Sequence, residues 1–121
     1  MAGTILFPRE PHWIAGLHGY YPIVNRTRAA VSEDEKRLVE PLFETIEQGG
    51  LDIIALDEDV SPEAFNAFYR ATKREYGRCL ASEAEARMPE GFYAGIMAAW
   101  AQLIEILEAD SRCRVESGPS A

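Results

Sequence analysis

Two pairs of glutamates stand one helical turn apart, Glu44 with Glu47 and Glu105 with Glu108. At that spacing both carboxylates of a pair share one helix face. Two such pairs on facing helices can hold magnesium beside a phosphate or, with histidine help, a di-metal centre. No Glu-x-x-His occurs, however, and E-x-x-E pairs are ordinary on any acidic helix. Asp57, Asp59 and Ser61 have the alternate spacing that opens a calcium loop, but Pro62 stands where the turn needs glycine and Phe68 where it needs a bidentate glutamate. His12 and His18, with no cysteine near them, match no zinc spacing and read as packing or hydrogen-bonding residues. Cys79 falls near the end of a helix, where the dipole works against a reactive thiolate. No G-x-S-x-G, G-x-x-x-x-G-K, G-x-G-x-x-G or C-x-x-C occurs. The residues point to no catalytic centre, no metal and no cofactor.

The chemistry the sequence does carry is charge. Between Glu33 and Glu63 lie eleven carboxylates against Lys36 and Arg37 alone, a local balance of −9 in a chain whose net charge is −8. Such a surface repels nucleic acid and anionic membranes and steers cationic partners. Part of it can be neutralised inside the molecule by Arg70, Arg74 and Arg78, which recur along one face of a later helix. From Ala64 onward, though, eight acids accompany seven bases, so the compensation is incomplete. The carboxylates expected to face a partner are Glu40, Glu44, Glu47, Asp52, Asp57, Glu58 and Asp59.

These residues must be positioned by helices. With 121 residues, 47% of them hydrophobic and 26% charged, the chain has the material of one globular domain, 1–121. Ser32-Glu33-Asp34-Glu35 is a capping-box start for a helix to about Glu47, with Leu38, Leu42 and Ile46 as its apolar stripe, Phe43 beside them, and a kink or break at Pro41. Leu51 to Leu56 fits a strand, a buried loop or a short helical turn equally well. Ser61-Pro62-Glu63 opens the clearest helix, carrying Phe65, Phe68, Tyr69, Thr72 and Tyr76 on one face. Pro89-Glu90-Gly91 opens the last, to about Ala109, apolar nearly all round and therefore placed at the centre of the domain or in an oligomer contact. Cys79 and Cys113 would then lie at opposite ends of a hairpin, roughly 25 Å apart at 1.5 Å rise per residue. A disulfide needs α-carbons within about 7 Å, so two free thiols are expected.

Residues 1–31 differ. Prolines at 8, 11 and 22, glycines at 3, 16 and 19 and no evident helical period indicate an irregular arm with extended pieces at Thr4–Phe7 and Tyr20–Val24. It is rich in aromatics, which either cap the core or, as Trp13, Tyr20 and Tyr21, add a recognition surface to the acidic face.

The expected fold is mainly α: a small bundle of about three principal helices at 32–110, an irregular arm with room for a short β element, and a flexible tail at 111–121. The expected function is a non-enzymatic cytoplasmic binding protein, most concretely a small bacterial inhibitor of the immunity or antitoxin kind. It would neutralise a cationic toxin through its acidic face, without nucleic acid or membrane partners. The alternatives are a structural or adaptor subunit that forms a homodimer through the last helix, and a small carboxylate- or metal-dependent enzyme.

Overall fold

Residues 2–9, 11–49, 53–82 and 91–114 are described by the computed structural model, residues 2, 17, 18 and 45–49 by backbone alone. Along the chain run β1 (Ala2–Leu6), β2 (Trp13–Gly16), α1 (Leu17–Ala30), a 3₁₀ turn (Glu33–Glu35), α2 (Lys36–Gly49), β3 (Ile53–Ala55), α3 (Pro62–Ala81) and α4 (Tyr93–Ala109). The fold is mainly helical, with a small sheet at its N-terminal side.

β1 is the middle strand, antiparallel to β2 and parallel to β3. Strand alternation sends Gly3, Ile5, Trp13, Ala15 and Ile54 to one buried face. Gly3 is required there, because a Cβ at this position would come within 2.1 Å of the Tyr20 ring. The undecided segment after Leu51 thus resolves into β3, whose neighbour Leu56 prolongs the pairing by donating its N–H to Leu6 O at 2.8 Å.

The N-terminal arm is more ordered than its composition indicates. Tyr20–Val24, read as extended, lies inside α1. The helical period is present in Tyr20, Ile23, Val24 and Thr27, all buried at i, i+3, i+4 and i+7 spacing. Pro22 removes one helical hydrogen bond, but packing of this face against the sheet, α3 and α4 outweighs the loss.

α2 begins after the 3₁₀ turn and runs through Pro41 unbroken. Its inward face is turned from the one expected: Val39 and Phe43 are buried, while Leu38 is 41% exposed. α3 starts as its sequence requires, with Ser61 Oγ accepting the Ala64 N–H at 3.1 Å and Pro62 at the first position. It is α3, packed on each of the other helices, that occupies the centre. α4 is peripheral. Its buried stripe is Ile96, Met97, Trp100, Leu103, Ile104 and Leu107, and its exposed positions hold Ala94, Gly95, Ala98, Gln102 and Glu105. Small residues supply part of the apolar circumference, while Tyr93 and Ile106 are half-buried and Phe92, just before the helix, is 43% exposed.

Two indole hydrogen bonds hold the layers in register. Trp13 Nε1 donates to Ala99 O at 2.9 Å, tying β2 to α4. Trp100 Nε1 donates to Thr72 Oγ1 at 2.8 Å, Thr72 is bonded to the Thr27 hydroxyl at 2.8 Å, and Thr27 reaches Ile23 O at 2.8 Å. This fully buried chain joins α4, α3 and α1 and leaves none of its members unsatisfied. Thr72→Val keeps the shape but strands the indole N–H. Urea unfolding is expected to show a loss of about 2 kcal/mol, and a loss below about 0.5 kcal/mol would show that the network is not what orders these helices.

Candidate protein interface

The acids of the 33–63 segment divide into those that other elements capture and those left at the surface. Glu40 is captured by Arg28 of α1, which donates from Nη2 at 2.5 Å and Nε at 3.3 Å while its guanidinium covers the Phe43 ring. That fork holds the Glu40 carboxyl below its ordinary range. Glu35 pairs with Arg70 of α3. The rest of the basic stripe has other partners among the described residues: Arg74 donates to Ala30 O, Arg78 pairs with Glu75 on its own helix, and Lys73 pairs with Glu108 of α4. Hydrogen bonds from Tyr69 and Lys73 lower the Glu108 carboxyl, and bonds to Tyr69 and Glu108 raise the Lys73 ammonium.

Asp34, Glu44, Glu58, Asp59 and Glu63 are exposed and form no ion pair among the described residues. Asp57 turns inward far enough to accept the Asp59 N–H at 3.0 Å, which shapes the acidic turn. Asp52 and the side chain of Glu47 lie outside the described residues. Of the aromatic candidates, Trp13 and Tyr20 are not available to a partner. They are 1% and 0% exposed and stack in the core with ring centroids 6.2 Å apart, which leaves Tyr21 as the exposed one at 37%. The arm curls back as a hairpin and helix, so its largest rings meet each other before they can meet solvent.

The Asp57–Glu58–Asp59 turn is held from behind by Arg112, a residue that the sequence placed in a frayed tail. Its guanidinium donates to Leu56 O at 2.7 Å, Asp57 O at 2.7 Å and Val60 O at 3.0 Å, and to both oxygens of Asp110 at 3.0 and 2.9 Å. It also lies 4.4 Å from the Phe65 ring centroid. Next to it Asn66 donates to Pro62 O and Arg112 O and accepts the Arg114 N–H, docking residues 112–114 on the start of α3. No local pattern in Ser-Arg-Cys-Arg signals this role.

In front of the turn an open cleft of about 870 Å³ separates Glu58 from the β1–β2 connection and from the C-terminal end of α4. The connection is itself braced, since His12 Nδ1 accepts the Phe7 N–H at 3.1 Å. Among the described residues no cluster of histidine, cysteine and carboxylates is arranged to hold a metal. No helix among them is long and apolar enough to cross a membrane. Both cysteines are free. Burial raises the Cys79 thiol, and burial together with Glu108 and Asp110 pushes that of Cys113 up to about 11, so neither is poised as a nucleophile.

The architecture is a mainly helical domain completed by a three-stranded β2-β1-β3 sheet. It is shared with one chain of the solved complex described as the CdiA-CT toxin from Burkholderia pseudomallei E479 with its cognate CdiI immunity protein. The TM-score is 0.75 at 19% identity, over 92% of this chain and 98% of that one. No known family's sequence pattern matches the chain, and no curated protein matches it in sequence.

Arg112→Ala removes a largely buried cation, leaves Leu56 O and Val60 O without its donors and takes the counter-charge from Asp110; thermal and urea unfolding are expected to show a loss of about 3 kcal/mol. The partner group gives a pH signature. Hydrogen bonds from Arg112 hold the Asp110 carboxyl below its ordinary value of 3.8. Its contribution to stability is therefore complete above that value and fades as pH falls through the lower, folded one. Asp110→Asn should reduce stability at neutral pH and flatten the acid limb of the stability curve below pH 4, and an unchanged acid limb would show that the pair carries no such linkage.

Proposed function

We propose that this chain is a small non-enzymatic inhibitor of the immunity kind that binds a cationic protein toxin through its exposed carboxylates. The observation that carries the reading is the fold likeness to a chain of a toxin–immunity complex, which extends over 92% of this chain. Of the two roles in such a complex, the surface favours the inhibitor. A toxin that acts on a phosphate-bearing substrate needs a positive cleft, and an acidic partner can fill it. Here the net charge is −8, and among the described residues Asp34, Glu44, Glu58, Asp59, Glu63 and Glu105 are exposed without an ion pair, most of them around α2 and the turn before α3, with Tyr21 as the exposed ring of the arm.

The internal pairing sharpens this surface. Glu35 and Glu40 are held by arginines, so they set where α2 lies and contribute little outward field. Glu44, Glu58 and Asp59 are left to steer association, and steering of this kind weakens as salt screens it.

The test is capture of partners from the lysate of its own cells by the tagged protein at low salt, with mass spectrometry across a salt gradient. One basic protein is expected, released as salt rises. Reversal of Glu44 and Asp59 to Lys, at exposed positions that leave the fold intact by circular dichroism, should slow association by about tenfold. Capture that is indifferent to salt and to this reversal would sink the electrostatic reading.

A further inference from the structure

We propose that the cleft between the β1–β2 connection, the Asp57–Val60 turn and the C-terminal end of α4 is a pocket for an arginine side chain of the protein partner. This deepens the inhibitor reading and rests on it for the identity of the occupant. The cleft holds about 870 Å³, more than one side chain fills, so a short stretch of the partner's backbone can enter with it.

Its chemistry is two-sided. Pro8 and Pro11 from the connection and Ile106 from α4 supply apolar wall, suited to the aliphatic stem and flat guanidinium of arginine. Glu58 and Glu105 enter it from separate elements, both exposed and neither ion-paired among the described residues. Two carboxylates that form no ion pair among the described residues, beside a surface that sheds water readily, match a planar donor with five N–H groups better than a compact ammonium. The other ionic groups do not cancel this. Asp110 and Arg112 at the base neutralise each other, and Arg9 stands against the two glutamates, leaving the described lining one negative charge in excess.

The site is also built. Arg112 fixes the backbone that carries Glu58, the bond from Phe7 N–H to His12 braces the opposite wall, and Glu105 sits on a regular helix. Little has to be ordered when a ligand arrives, so the binding energy is not spent on arranging the walls.

Titration of the ¹⁵N-labelled protein with the blocked peptide Ac-Gly-Arg-Gly-NH2 tests the pocket, with the citrulline peptide as its uncharged counterpart. The arginine peptide is expected to shift the amides of Arg9, Glu58, Glu105 and Ile106, approaching saturation at roughly millimolar concentration. E58Q/E105Q should weaken it by about tenfold. Equal shifts with citrulline, shifts centred on Asp34 and Glu44, or an unaffected double variant would each overturn the pocket. Lysate capture separates this from the broader reading. A basic partner caught equally by the parent and by E58Q/E105Q overturns the pocket and leaves the inhibitor. No partner caught, beside an intact arginine titration, overturns the inhibitor and leaves the pocket.

Discussion

A largely buried guanidinium is stable only if its donors are met, and the geometry of this molecule's acidic surface follows from how Arg112 meets that demand. Leu56, Asp57 and Val60 lie after β3 has ended and at or before the start of α3, so no ladder or helix takes up their carbonyls. Arg112 accepts the task for all three, Asp110 balances its charge, and Phe65 covers its face. Each side needs the other. A turn carrying three successive carboxylates gains nothing from its own charges, and the hydrogen bonds from behind it fix its shape.

The same economy governs the rest of the charge. Arg28 and Arg70 take Glu40 and Glu35, joining α2 to α1 and α3, whereas Lys73 with Tyr69 and Glu108 joins α3 to α4. These pairs are half-exposed and individually weak. Their effect is to decide which acids are spoken for. The carboxylates that remain among the described residues, Asp34, Glu44, Glu58, Asp59, Glu63 and Glu105, stand at exposed positions where salt and partners can act on them.

The aromatic arm serves the interior. Trp13, placed by the pairing of β2 with β1, reaches Ala99 of α4, and Tyr20 lies across Gly3. The hairpin, α1 and the last helix are thereby linked through two rings and a glycine. That explains why Phe7, Trp13 and Tyr20 of so aromatic a segment are buried.

What the sequence determined by itself is local or additive: net charge, the concentration of acid in 33–63, the start of α3 at Ser61-Pro62, the amphipathic helices after Ser32, and cysteines kept apart by helix length. Each depends on neighbours within a turn or on simple summation. α1 was legible in principle through Tyr20, Ile23, Val24 and Thr27, but Gly19 and Pro22 mask that period, because local propensity counts against a helix that only tertiary packing stabilises. The rotation of α2 that buries Val39 in place of Leu38 was likewise set by what it packs on. The tertiary structure alone decided which arginine is buried, which acids are paired, and that Glu58 and Glu105 share a cleft. Those relations join residues from 12 to 56 positions apart, and a charge has no preferred partner until the chain has brought the candidates within reach.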